Sequence, residues 1–165
     1  MPDALFATLE SAQVGFDDLA VGDRFVTAGR TVTEADIVNF AGLSGDYNQL
    51  HTDAQFAANT PHGKRIAHGL LVLAIMSGLC TRLPVNKFME KSIIGLAGLT
   101  AKWLHPVFIG DTLSVVVEVI GKEPGRKPGR GTVKFRRSAQ NQAGEIVLET
   151  EWAIVMAARA GAAGE

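Results

Sequence analysis

The sequence predicts an α+β fold in which a curled antiparallel sheet wraps around one long buried helix. The first observation is the stretch 66–79, where leucine, alanine, isoleucine and methionine leave almost no polar face. A helix that is apolar all round is buried on all sides, and these residue types favour a helix over a strand. The second observation is that four strand-like stretches with short connections follow, as in an antiparallel sheet.

The first half of the chain contains the predicted elements that precede this central helix. Residues 24–31 have the β-branched and aromatic character of a strand. Thr33 is a typical N-cap and predicts a helix that ends near 42–45. The polar segment 44–52 predicts a loop, and Asp53 is placed to cap a short helix that ends at Ala58.

The second half of the chain supplies most of the sheet. Turn residues separate its apolar and β-branched stretches, which makes each stretch a predicted strand. The predicted strands cover 93–104, 112–120, 132–139 and 146–156. We expect a single domain over 16–157, a loosely ordered leader over 1–15 and a flexible tail over 158–165.

Composition excludes several functional classes. The net charge is −1, so a nucleic-acid partner is not expected. The chain is 47% hydrophobic and 20% charged, which argues against disorder. The longest apolar run, 70–76, is too short to span a membrane, and the first residues lack the pattern of a signal peptide. With one cysteine, Cys80, and no metal-ligand spacing, we expect a cytoplasmic protein without a metal site.

One short loop carries groups suited to proton transfer. Asp46 and His51 lie five positions apart, Gly45 permits a tight bend before them, and Asn48 can orient either side chain. A carboxylate and an imidazole suit the movement of a proton near neutral pH. By spacing alone, an ordinary surface turn explains the same residues, so the alternative stays open at this point.

The residue types around this pair add a family resemblance. The run 40–51 matches a signature of an aromatic residue, a small residue and Gly-Asp-x-Asn-Pro-aliphatic-His, with Gln49 in place of the proline. Ala67-His68-Gly69-Leu70, Ser77-Gly78 and the Gly-Asp turn within 106–113 follow in the family's order. Over about 16–157 the chain therefore resembles the MaoC-like dehydratases, of the (R)-specific enoyl-CoA hydratase type.

The resemblance implies a hotdog fold and a hydro-lyase reaction, the reversible addition of water to a trans-2-enoyl thioester. It makes Asp46 and His51 a coupled catalytic dyad positioned by Asn48. It makes the backbone N–H of Gly78 the donor to the thioester oxygen, with Ser77 in support. Ser77 bonding to a carbonyl one turn earlier is an equal alternative.

The resemblance also implies the partners. The substrate is an acyl-CoA thioester, with an acyl-carrier protein as a possible carrier, no cofactor is needed, and the chain forms a homodimer or a higher homo-oligomer. Two alternatives remain: a hotdog acyl-CoA thioesterase and a non-catalytic acyl-CoA-binding protein. His62, His68 and His105 are expected to be structural or loop residues.

Overall fold

The computed structural model describes residues 12–159, and a mixed set of helices and antiparallel strands spans this part of the chain. The helices are α1 (Glu34–Ser44), α2 (Gln49–Thr52), α3 (Ala54–Ala58), α4 (Gly69–Thr81) and α5 (Pro84–Met89). The strands are β1 (Arg24–Val26), β2 (Arg30–Thr31), β3 (Ile93–Trp103), β4 (Thr112–Pro124), β5 (Arg130–Gln140) and β6 (Ile146–Ala157).

The strands form one antiparallel sheet, in the order β1-β4-β5-β6-β3, with β2 paired to the other end of β4. Buried residues alternate along β4 and β5, as they do in a sheet with one face on a core. In the central register Val117 pairs with Arg137, which in turn pairs with Thr150. The long strand β3 lies at one edge and pairs only with β6 among the described strands.

The helix α4 packs into the concave face of this sheet, which confirms the predicted architecture. Six of its residues are buried, among them Met76 at 0% and Leu79 at 2% exposure. Within a single chain, however, one line of the helix is open to solvent: Leu70 is 60% exposed, and Ala74 and Gly78 are exposed at the same helical spacing.

Local details differ from the sequence-based expectation where elements are short. The predicted first strand is divided into β1 and β2, and the loop 44–52 contains the four-residue helix α2. Helix α5 was not predicted. It has six residues, begins with Pro84 at its first position, and is too short to show a helical period.

The predicted leader and tail fall largely on residues 1–11 and 160–165, which lie outside the described residues. Of the leader's described part, Val14 donates its N–H to the carbonyl of Phe88 at 2.9 Å, and the Gln13 side chain donates to the Ser92 hydroxyl at 2.9 Å. No helix within 12–159 has the length and apolar character needed to cross a membrane.

We predict that Leu79→Ala lowers the free energy of unfolding by about 2–5 kcal/mol, because it removes buried methyl groups from the α4 core and leaves a cavity. The matched control is Leu43→Ala on α1, where the side chain is 85% exposed and the change stays within about 0.5 kcal/mol. Urea unfolding followed by circular dichroism measures both. Equal losses would mean that α4 is not the centre of the core.

Candidate active site

The end of helix α1 fixes the backbone that carries Asp46. A capping box between Thr33 and Asp36 starts the helix, and Gly45 ends it in the left-handed conformation, with φ of 75° and its N–H bonded to the Ala41 carbonyl. A side chain at Gly45 would be strained whatever the space around it. The sharp turn therefore places Asp46 directly after the helix, with its carboxylate exposed.

Asn48 links Asp46 to the short helix that carries His51. The backbone N–H of Asn48 donates to the Asp46 carboxylate at 3.2 Å. The Asn48 side-chain oxygen accepts from the N–H of Leu50 at 3.0 Å and so caps α2. Its carbonyl also accepts the N–H of His51 at 2.9 Å. In the structure Asn48 thus holds the helix that carries the imidazole, and its side chain does not bond to either member of the dyad.

The hydrogen bond of His51 defines which ring nitrogen is free. Its Nδ1 lies 2.8 Å from the carbonyl oxygen of Ile66, which can only accept a hydrogen bond. The proton of a neutral imidazole is therefore assigned to Nδ1, and Nε2 keeps its lone pair. A half-buried imidazole held in this tautomer has the form needed to take a proton from water or to return one.

His68 supports both members of this pair. It is 1% exposed, and its Nε2 donates to the backbone carbonyl of Asp46 at 3.0 Å. Its ring packs on His51 with centroids 4.0 Å apart and an interplanar angle of 31°. The structural role expected for His68 is thus seen, but its Nδ1 is buried without a hydrogen-bond partner among the described residues.

The three side chains converge on one small volume. One ligand-type atom each from Asp46, His51 and His68 lies within 4.8 Å of the other two. A water at a normal hydrogen-bond length of about 2.8 Å can bridge atoms up to about 5.6 Å apart. Asp46 and His51 are therefore close enough to hold one water between them.

An apolar cavity of about 280 Å³ opens beside His51. Its walls include Ile66, Val72, Trp103 and His105. Trp103 is 48% exposed, and its Nε1 donates to the Gly69 carbonyl at 2.9 Å. No pattern in the sequence predicts this wall, because β3 and the start of α4 are distant in the chain and meet only in the folded structure.

The structure does not bring the predicted Ser77 and Gly78 to this place within one chain. They lie nine and ten residues after His68 on α4, a separation of roughly 13 to 15 Å along the helix axis. Gly78 is exposed, and no described residue outside its own helix turn and chain neighbours lies within 4 Å of the position a Cβ would occupy. Within a regular helix its N–H also has the Ala74 carbonyl as partner. One chain therefore assembles Asp46, Asn48 and His51 and leaves the other two residues apart.

Comparison with known sequences finds a matching protein family and several similar proteins. The family model of the MaoC like domain matches residues 18–141. The chain is 36% identical over 128 residues to Protein MaoC of Klebsiella aerogenes, which covers 78% of the chain but only 34% of that protein, so the chain spans about a third of its length. It is 35% identical over 147 residues to an (R)-specific enoyl-CoA hydratase of Rhodospirillum rubrum, with 87% of this chain and 92% of that protein covered.

Solved structures agree with the sequence comparison. An R-hydratase from Pseudomonas aeruginosa, in the unliganded form, superposes with a TM-score of 0.71 at 34% identity, covering 89% of this chain and 87% of that one. A Mycobacterium tuberculosis protein described as having a double hotdog fold superposes with a TM-score of 0.78 at 21% identity, covering 93% and 47%. The second likeness concerns the fold alone. The chain has the hotdog fold and belongs to the MaoC-like dehydratase family.

Proposed function

We propose that the chain is an (R)-specific enoyl-CoA hydratase and 3-hydroxyacyl-CoA dehydratase, which adds water reversibly to a trans-2-enoyl thioester. The observation that carries the proposal is the approach of the Asp46 carboxylate and the His51 imidazole, within 4.8 Å, at the side of an apolar cavity. The relative from Rhodospirillum rubrum and the structure from Pseudomonas aeruginosa are both named as hydratases of this stereochemistry.

The proposed reaction uses the dyad around one water. One member of the pair removes a proton from the water as its oxygen attacks C3, and the other delivers a proton to C2. Because both groups act on the same water, the two roles are assigned to the dyad as a whole. In the reverse direction the same groups remove the C2 proton and protonate the leaving hydroxyl.

Negative charge on the thioester oxygen during attack calls for a nearby donor. We assign this role to Gly78, with Ser77 in support, and infer that a second copy of the chain supplies both. The inference is supported by the roughly 13 to 15 Å of helix between them and His68, which packs on His51 of the same chain, and by the open space at Gly78. In a regular helix the Gly78 N–H is bonded to the Ala74 carbonyl, so the proposal includes a shift of α4 that frees this N–H for the thioester oxygen.

The edge strand β3 offers the surface on which a second copy fits. Its free edge carries the exposed apolar residues Ile94 at 54% and Leu96 at 53%, and Leu70 of α4 is 60% exposed. A long apolar edge of this kind promotes association unless another chain covers it. We therefore propose a homodimer at least, in which each copy completes the site of the other.

The carrier and the compartment follow from the chemistry proposed. Coenzyme A is the first choice as carrier of the acyl group, and an acyl-carrier protein is the alternative. The chain has a single cysteine, Cys80, which is buried and free, as is common in reducing compartments. A cytoplasmic location agrees with both points.

Removal of either dyad side chain should abolish most of the activity. Asp46→Asn and His51→Ala should each reduce kcat by at least about 10²-fold, because each removes an acid–base group. The double variant should lose little more than the slower single variant, since both act on one water. Loss of enoyl thioester absorbance measures the rates. Glu149→Gln on β6 is the charge-matched control and should keep normal turnover; a single dyad variant with normal turnover and intact fold would contradict the mechanism.

The product should have the (R) configuration. If one water bridges both groups, the hydroxyl and the proton reach the same face of a flat enoyl group, and the (R) outcome is inferred from the R-hydratases that the chain is similar to. With crotonyl-CoA, or a longer homologue, the product should be oxidised by an (R)-specific 3-hydroxyacyl-CoA dehydrogenase and not by an (S)-specific one. A signal with the (S)-specific enzyme alone would exclude this hydratase type, and release of free thiol without a hydroxy product would indicate the thioesterase alternative.

Assembly should be necessary for activity. At micromolar concentration the protein should sediment at twice 17.5 kDa or more. Ile94→Lys with Leu96→Lys should give monomers that lose hydration activity, because the charges prevent pairing along β3. Val21→Lys, at another apolar site that is 64% exposed, is the control and should remain dimeric and active. A fully active monomer would contradict the shared site.

A further inference from the structure

Arg137 is a buried cation that the proposed reaction does not use. It lies on the inward face of β5, where its neighbours Val133, Phe135 and Ala139 are all buried. Arg137 itself is only 8% exposed, whereas Arg136, on the opposite face of the same strand, has a side chain that is 42% exposed. The alternating pattern of the strand would favour an apolar residue at position 137.

The guanidinium of Arg137 has no charged partner among the described residues. Within residues 12–159, its Nε is buried without a hydrogen-bond partner, and Arg137 takes part in none of the ion pairs. The faces of two aromatic rings surround it, with Trp152 4.0 Å and Phe135 6.0 Å from the guanidinium carbon. Burial lowers the pKa of Arg137, but an arginine stays protonated at neutral pH, so a full positive charge remains in the core.

This charge faces a narrow cavity between the sheet, the end of α4 and helix α5. Apart from Asn86, all the other lining side chains are apolar or a thiol: Phe25, Cys80, Leu83, Val85, Met89, Ile93, Val117, Phe135, Ile154 and Met156. The space open to the centre of a water molecule is about 20 Å³, which holds about one water, so a carboxylate enters only when neighbouring side chains move. Met89 and Met156 are flexible and can enlarge it.

One class of ligand matches these features. A carboxylate presents two oxygens to the planar fork of a guanidinium, and it balances a positive charge that otherwise lies unpaired in an apolar site. The apolar walls favour methylene groups attached to it. The amide of Asn86 supplies the second polar contact available in the cavity.

We propose that Arg137, with Asn86, binds a carboxylate at the far end of the substrate's acyl chain. The inference rests on the proposed function, because it takes the thioester oxygen to lie at Gly78. Cys80 lines the cavity and follows Ser77 by three residues, which places both residues on the same face of α4. The cavity thus lies about one helical turn from Ser77, the residue proposed to support the thioester position. The substrates of this chain are accordingly enoyl thioesters that carry a terminal acid group.

Binding of saturated thioesters tests the subsite without any turnover. Calorimetry compares glutaryl-CoA with pentanoyl-CoA, and adipyl-CoA with hexanoyl-CoA, so that each pair differs only in a terminal carboxylate or methyl group. The wild-type protein should bind the acid-ended member of at least one pair tenfold or more tighter. Arg137→Met should lose that preference and bind the methyl-ended thioester as well as before. Arg136→Met removes the same charge from the outer face and should keep the preference.

Further variants and melting temperatures separate a ligand role from a structural one. Arg137→Met should melt no lower than the wild type, since it replaces an unpaired buried charge by an apolar side chain of similar length. Asn86→Leu should reduce the preference by a smaller factor and provides a second variant if Arg137→Met does not fold. A wild-type protein that shows no preference in either pair, or an Arg137→Met protein that retains it, would overturn the proposal.

The source of the carboxylate and the reaction are tested separately. If glutarate alone raises the melting temperature of the wild type but not of Arg137→Met, while both CoA pairs show no preference, the ligand is a free carboxylate and the assignment to the acyl chain is wrong. Hydration is then measured with the matching acid-ended enoyl-CoA. Tight, Arg137-dependent binding without hydration would leave the subsite in place and reject the hydratase function.

Discussion

Burial of the helix α4 is the constraint on which the rest of the structure depends. Its apolar residues find no partner in a flat sheet, so β4, β5 and β6 curve around it and turn alternate side chains toward it. The helix is about 20 Å long, since it has thirteen residues. Its two ends therefore carry different functions: the first turn meets the Asp46 loop, and the last turn closes the cavity of Arg137.

The geometry of the dyad depends on this first turn. His68 is the N-cap residue of α4, but its ring does not cap the helix; it donates instead to the Asp46 carbonyl and packs on His51. The position of the loop is thus tied to the best-packed element of the fold. The positive end of the helix dipole also lies at this turn, which favours negative charge on nearby groups. A loop with Gly45 in the left-handed conformation needs such a support to hold a reactive pair in place.

The sequence predicted the elements with a clear period and the residues that belong to a contiguous motif. Helix α4, the strands β3 to β6 and the segment that carries Asp46 and His51 were predicted in this way, although the second half of that segment is the helix α2 and not a loop. The sequence could not show what depends on contacts between distant segments: the bond from His51 to Ile66, the stacking of His68, the wall formed by Trp103 and the isolation of Arg137. Short elements such as α5 were not predicted, because six residues are too few to show a helical period.

Three features of a single chain oppose its own stability: the unpaired charge of Arg137, the apolar edge of β3 and the open line of α4 at Gly78. A chain selected for folding alone would have an apolar residue at 137 and polar ones along the edge, because both changes lower the free energy of the monomer. Residues that do not suit their local environment in this way are expected at sites where function requires them. Arg137 and Gly78 lie around the last two turns of α4, and the exposed Ile94 and Leu96 lie in the first half of β3, at the other end of that strand from Trp103 beside the dyad. That distribution is best explained if a substrate and a second copy meet at this end of the helix. Binding of the substrate would then neutralise the charge of Arg137, and assembly would cover the edge of β3 and the open line of α4.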